Sequence, residues 1–280
     1  MTVDRALMLA AGAGLRLSPV SDGLPKVLLQ VGGKTLLQRH LEHLTALGIP
    51  ELVIVIGYEE AEIREEVARQ KGMLPVHFLY NPRYREAAIL SLWSARHALR
   101  GSVLFMDGDL LYPRRLLASV AHAQASTCFL MDPRPLQRDG EEIKLLTCND
   151  RVLYIGRSWP VDQGQVGEWV GVARFGDGRS ERLRAVLEEF VQAGRTRDDY
   201  EDTMNEVLQG AEAGVVDVGG LPWVEIDFPE DFELAVQLLP AIEALDREWE
   251  RTLTVPTAAK SKPARKAGSR QPGNRDEPPG

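Results

Sequence analysis

"LMLAAGAGLRL", residues Leu7–Leu17, decides how this chain is read. An apolar run delivers the backbone into small residues and then to a cation, Arg16. Gly12 and Gly14 would suit the start of a dinucleotide-binding G-x-G-x-x-G turn, but Leu17 stands where its third glycine belongs. That fold also needs a helix to begin at once, so that its first N–H groups meet the pyrophosphate. Here "SPVSDGLPK" follows instead, and Pro19, Gly23 and Pro25 oppose an early helix. The P-loop pattern G-x-x-x-x-G-K-[ST] is absent as well. What remains is a longer loop with open backbone N–H groups. The small residues in Leu9, Ala10, Ala11, Gly12, Ala13 and Gly14 let a nucleotide come close to the backbone, and Arg16 and Lys26 are placed to hold its phosphates.

Outward from this stretch, strands and helices alternate. "RALMLAA", "ELVIVIGY", "PVHFLYN" and "SVLFMDGDLLY" read as strands, buried where the apolar run is continuous. Between them lie the amphipathic segments "TLLQRHLEHLTALG", "EEAEIREEVARQKG" and "EAAILSLWSARHALRG". Continuous apolar strands separated by helices indicate an α/β sheet, largely parallel and covered on both faces. After Tyr112 the rhythm changes. A helix "LLASVAHAQA" and a strand "STCFLM" precede polar-interrupted strands with a hairpin signal at Asn149-Asp150. Two more helices, a late strand region "VVDVGGLPWVEID" and a closing helix with a break or kink expected near Pro240 complete the pattern. One domain over 1–255 is expected.

The 280 residues allow an ample core, and the net charge of −8 argues against a general nucleic-acid binder. Residues 256–280 carry six Lys/Arg against two Asp/Glu and no large apolar side chain, so a disordered basic tail is expected there. Cys128 and Cys148 form neither a metal spacing nor a disulfide framework, which fits a reduced, cytoplasmic setting. No apolar run approaches the length of a membrane span.

The stretch "LAAGAGLRLSPVSDGLPKVLLQVGGKTLLQ" resembles the opening signature of the sugar-phosphate and alditol-phosphate nucleotidyltransferases: L-A-A-G-x-G-x-R, a variable loop, P-K-x-L, then G-x-x-L-L. The likeness continues in "YNPRYREAAILSLWSA", "MDGDLLY" and "GLPWVEIDFPEDFELA". The last two look most like the cytidylyltransferases that activate phosphocholine, 2-aminoethylphosphonate or inositol phosphate. The resemblance implies a three-layer α/β/α Rossmann-like (GT-A-like) fold with a mixed, mainly parallel sheet. It also implies transfer of CMP from CTP to a small phosphate or phosphonate, with release of pyrophosphate. It assigns the β- and γ-phosphates to Arg16, the α-phosphate to Lys26, and Mg²⁺ to Asp109 with Asp227.

The chemistry suits these residue types. A phosphate monoester is mostly ionised at neutral pH, so the attacking oxygen needs no strong general base. Accordingly the five histidines form no visible triad, and His40 and His43 simply share a helix. The difficulty is charge, because an anion attacks an anion and more charge gathers on the leaving group; fixed cations and a metal answer it. Asp107 and Asp109 close a strand, and strand alternation puts them on one side. Mg²⁺ favours such carboxylates together with phosphate oxygens. Asp227 also stands at a helix entry, "DFPED", where acids complement the dipole.

For the acceptor, the resemblance points to Glu168; Lys144, Glu201, Trp223 and Glu225 are further candidates. Trp159, Trp169, Tyr200 and Trp223 are the aromatics available for a choline cage. Ala87 and Ala88 stand where the phosphocholine enzymes carry an asparagine-containing stretch, which favours aminoethylphosphonate or a polyol phosphate. Two other readings stay open at this stage: a sugar-1-phosphate nucleotidyltransferase using another NTP, and a non-catalytic nucleotide binder on the same fold. The oligomeric state is open too, a dimer included.

Overall fold

In the computed structural model, which describes residues 2–134, 142–158, 164–176, 178–209 and 212–254, the apolar runs lie side by side in one sheet. The expected tail at 256–280 and Trp159 fall outside the described residues. Strand β1 (Arg5–Ala10) leads through a tight turn (Leu15–Leu17), the one-turn helix α1 (Ser18–Ser21) and a second tight turn (Lys26–Leu28). The opening loop is thus partly wound, not fully extended; Asp22 and Gly23, both at positive φ, end the winding. A small ribbon, β2 (Gln30–Val31) and β3 (Lys34–Thr35), precedes α2 (Leu36–Ala46). Next come β4 (Leu52–Ile56), α3 (Glu60–Arg69), β5 (Val76–Tyr80), α4 (Ala88–Ser94) and β6 (Val103–Asp107). The later part contains β7 (Leu110–Leu111), α5 (Arg114–Ala121), β8 (Cys128–Asp132), β9 (Lys144–Cys148), β10 (Arg151–Gly156) and β11 (Gln165–Phe175). It ends with α6 (Arg179–Gln192), α7 (Tyr200–Leu208), β12 (Gly214–Asp217), β13 (Val224–Glu225) and α8 (Pro229–Thr254).

The main sheet has the order β5-β4-β1-β6-β11-β8-β12-β10-β9. Its first four strands are mutually parallel, and β12 is parallel to β8. Strands β10 and β11 run against the rest, so the sheet is mixed, with most strands in one direction. Period-two alternation sends Leu7, Val53, Val55 and Phe105 to one face, under α4, α6 and α7. Ala6, Met8, Ile54 and Leu104 go to the other, under α2, α3 and α5. A third cluster, with Leu17, Leu36, Leu111 and Ile226, seats α8 beside the opening loop.

Local signals act as the sequence suggests. Thr35 caps α2 by accepting from the Gln38 N–H at 2.9 Å, and Gly48 at φ 69° follows its end. Asn149 and Asp150 both take positive φ, which a two-residue hairpin turn between β9 and β10 requires. Two expectations are corrected. The run "SVLFMDGDLLY" is not one strand: it breaks at Gly108-Asp109, and Leu110–Leu111 pairs with β13 instead. Helix α8 also runs unbroken past Pro240, which removes the break, one of the two forms expected there. No helix among the described residues is long and apolar enough to cross a membrane.

Candidate functional site

Three chain segments meet at the carboxyl ends of the parallel strands, where open α/β sheets bind ligands. The Ala11–Gly14 loop leaves β1, the Asp107–Gly108–Asp109 turn leaves its neighbour β6, and Glu225–Asp227 leaves β13. Lys26 reaches into their midst. Its Nζ donates to Asp109 Oδ2 at 3.0 Å and to Asp227 Oδ1. Gly14 makes this possible. It sits at φ 57°, and a Cβ there would lie 2.7 Å from Lys26 Cγ, so any side chain would push the lysine stem out of line.

The carboxylates crowd each other. Oxygens of Asp109, Glu225 and Asp227 lie within 4.8 Å of one another, the one such acidic group found among the described residues. Burial raises the Glu225 pKa well above the usual range, and the charges of Asp109, Asp227 and Asp107 raise it further. Burial opposes the Lys26 ammonium, but Asp109 and Asp227 outweigh it and the pKa rises, so Lys26 stays charged. Asp107 does not join the trio, despite the shared side expected from alternation. Its Oδ2 accepts from the Tyr200 hydroxyl at 2.8 Å, and burial followed by Asp109 raises its pKa. Room for that side chain comes from Gly171, at φ 74° within a register shift of β11, where a Cβ would meet Asp107 Oδ2 at 2.8 Å. At the entry to α8, Asp231 accepts from the N–H groups of Asp227 and Phe228 at 3.0 and 2.9 Å. This fixes the peptide that carries Asp227.

Two cavities open on this centre. The smaller, about 630 Å³, is lined by Gly12–Arg16, Lys26 and Asp227, together with Tyr58, Tyr84 and Arg85. Leu9, Ala10 and Ala11 do not line it; they stand behind, where the Leu9 carbonyl takes the Gly108 N–H and the Ala11 carbonyl takes the Tyr58 N–H, each at 3.1 Å. The larger, about 950 Å³, has among its lining residues Glu142, Glu168, Asp199, Glu201, Glu225 and Asp107, with Trp169 and Tyr200. Arg16 and Asp227 border both cavities, and Arg16 lies over the Phe228 ring, 5.0 Å from its centroid.

Most sequence candidates are therefore brought together: Arg16, Lys26, Asp109 and Asp227 at the junction, and Glu168, Glu201 and Glu225 in the larger cavity. Lys144 and Trp223 are not. Lys144 pairs with Glu168 across β9 and β11 outside the cavity wall, and the Trp223 indole donates to Asp132 at 2.9 Å. Of the four aromatics expected for a cage, Trp169 and Tyr200 line the cavity. Tyr58 of "VIGY" and Tyr84 and Arg85 of "NPRYR" line the smaller cavity without any mark in the sequence. Nothing in their spacing marks them until β4 and β5 are laid beside β1.

Glu201 has a pKa pushed up to about 7 by burial, with Asp199 adding to it, against an ordinary 4.5. The folded protein keeps this proton after the unfolded chain has lost it, so stability falls as pH rises from about 4.5 to about 7. Glu201→Gln should remove that cost. Urea unfolding should show the variant more stable than wild type by roughly 3 kcal/mol at pH 8 and level with it at pH 4.

Residues 6–141 match the model of the MobA-like NTP transferase domain. The chain is 26% identical over 239 residues to the bifunctional IPC transferase and DIPP synthase of Aquifex aeolicus, covering 85% of this chain and 52% of that protein. It is 29% identical over 237 residues to the CMP-5'-(3-aminopropyl)phosphonate synthase of Streptomyces rubellomurinus, covering 81% and 37%. The chain thus spans about half or less of these two curated relatives. The inositol-1-phosphate CTP transferase of T. maritima superposes with a TM-score of 0.70 at 22% identity, over 85% of this chain and 97% of that one, and shares the nucleotidyltransferase fold.

Proposed function

We propose that this chain, whose residues 6–141 belong to the MobA-like NTP transferase domain family, transfers CMP from CTP to a small phosphate or phosphonate and releases pyrophosphate. The observation that carries this reading is the junction: Lys26 and Arg16 stand with Asp227 where a loop-lined cavity meets an acceptor-sized one. In this reading the triphosphate lies along Gly12–Arg16, with its α-phosphate at Lys26. The acceptor enters through the larger cavity and its oxygen attacks in line. Lys26 and Arg16 bear the charge that gathers on the leaving group. Tyr200, held protonated by burial and by Asp107, orients that carboxyl and takes no proton from the acceptor.

Asp109 and Asp227, joined by Glu225, fit a divalent cation such as Mg²⁺, since all three offer hard oxygen donors and their mutual repulsion is relieved by positive charge. Mg²⁺ bound there would neutralise phosphate oxygens during transfer. In the structure the Lys26 ammonium pairs with two of these carboxylates, Asp109 and Asp227.

The larger cavity favours an acceptor that bears a cation at the end away from its phosphorus. Nine carboxyl groups line it, against the guanidiniums of Arg16 and Arg157. A neutral polyol would leave that field uncompensated, whereas an ammonium answers it and draws Glu201 back to its charged form. Trp169 and Tyr200, with Phe228 already covered by Arg16, are a sparse enclosure for a quaternary ammonium, so a primary amine, as in an aminoalkylphosphonate, fits best. The name of the Streptomyces relative agrees.

The test is pyrophosphate release over a matrix of CTP, UTP, ATP and GTP against aminoethyl- and aminopropylphosphonate, phosphocholine, inositol phosphate and glucose 1-phosphate. CTP with an aminoalkylphosphonate should exceed CTP with inositol phosphate by tenfold or more in kcat/KM, the scale of one lost charge partner. Equal rates would remove the amine; binding of CTP without turnover on any acceptor would remove the enzyme.

A further inference from the structure

We infer that His40 is a positioning residue that sets the Asp107–Gly108–Asp109 turn, and through it the placement of Asp109. The inference rests on the nucleotidyltransferase reading for its consequence, and on geometry for its substance.

Helix α2 carries His40 into the core, 1% exposed, beneath the turn. Its Nε2 lies 3.1 Å from the Gly108 carbonyl oxygen, and its Nδ1 lies 3.0 Å from the Tyr112 hydroxyl. A carbonyl only accepts, so Nε2 carries the hydrogen, and Nδ1 takes the proton of the Tyr112 hydroxyl. Both ring nitrogens are thereby used, and the tautomer is fixed by its neighbours. Burial, aided by His43, pushes the imidazole pKa down to about 3, and burial raises that of Tyr112, so neither partner changes state in ordinary buffers.

Beside the side-chain bonds of Asp107 with Tyr200 and of Asp109 with Lys26, two backbone bonds tie the turn elsewhere. Gly108 N–H donates to the Leu9 carbonyl at 3.1 Å, and Ile226 N–H donates to the Asp109 carbonyl at 3.0 Å. Those bonds set how far the turn stands from β1 and β13. The His40 bond fixes the remaining freedom, the rotation of the Gly108–Asp109 peptide plane, which aims the Asp109 side chain. The support is stiff. Arg39 donates to the Val31 carbonyl at 2.6 Å, His43 Nε2 lies 3.3 Å from Asp246, and Asp246 takes the Arg114 N–H at 2.7 Å. The rings of His40 and His43 both pack on Tyr112, at 5.5 and 5.6 Å between centroids. His40 lines neither cavity, so it meets no substrate.

The experiment compares wild type with His40→Leu, His40→Gln and Tyr112→Phe. Glutamine keeps an N–H donor for the Gly108 carbonyl; leucine keeps bulk without it. In His40→Leu the Mg²⁺ concentration for half-maximal turnover at saturating CTP should rise about tenfold, the scale for partners behind a metal ligand. The acceptor KM should stay within about twofold, because the larger cavity is untouched. His40→Gln should recover most of the loss, and Tyr112→Phe, which releases Nδ1, should show a smaller one. Mn²⁺ binding to nucleotide-free protein, read by electron paramagnetic resonance, should weaken in the same order. A folded His40→Leu protein with the wild-type Mg²⁺ curve and wild-type Mn²⁺ binding overturns the inference. Should the leucine variant not fold, Tyr112→Phe decides, and its equality with wild type in both readouts overturns the inference equally. If wild type itself releases no pyrophosphate, the functional reading fails, while the Mn²⁺ series still tests the turn.

Discussion

Lys26→Ala should slow pyrophosphate release by about a hundred- to a thousandfold, the usual effect of removing one fixed donor from a transition state with concentrated charge. Lys26 bonds to Asp109 and Asp227 and borders the cavity lined by Gly12–Arg16, so no other ammonium among the described residues shares its place. The loss should fall mainly on kcat, because charge on the leaving group grows as the bond breaks and the ground state needs the lysine less. Lys26→Arg should not rescue it. The stem runs through the gap left by Gly14, and a planar guanidinium at its end cannot act as a compact point charge between two carboxylates. Rapid-quench measurement with labelled CTP would settle the matter: a single-turnover rate in Lys26→Ala within threefold of wild type would mean the lysine merely neutralises acids.

Asp109→Asn and Asp227→Asn should each cost a similar factor, with a different signature. Both substitutions keep shape and remove one negative charge from the trio that includes Glu225. The activating Mg²⁺ concentration should therefore climb, and excess metal should recover part of the rate, which it would not do for Lys26→Ala. Asp227→Asn should be the gentler of the two in folding, since Asp231 still caps the Asp227 and Phe228 N–H groups and the entry to α8 persists. An Asp109→Asn or Asp227→Asn protein with an unchanged Mg²⁺ activation curve would remove that carboxylate from the metal site.

The strands could be read from the sequence because burial leaves a direct trace. Leu52–Ile56 is apolar at every position, since both faces of β4 are covered, and the helices between strands repeat their apolar residues at helical spacing. The break in "SVLFMDGDLLY" was hidden for the same reason: Leu110 and Leu111 are as apolar as a continuing strand, and only their pairing with β13 reveals the turn. His40 looked incidental because its value lies in what a carbonyl 68 residues away presents to it.

The amino-acid order alone determined the class of fold, the small-residue loop with its two cations, and the acids at two strand ends. Those properties are local: steric freedom at glycine, burial of apolar runs and the charge of a side chain are all written in neighbouring residues. The tertiary structure decided which acids act together. It set Glu225 beside Asp109 and Asp227, turned Asp107 towards Tyr200, and left Trp223 and Lys144 outside the larger cavity. Coulomb energy and desolvation depend on separations of a few ångströms between segments distant along the chain, and chain order does not encode those separations until the sheet is assembled.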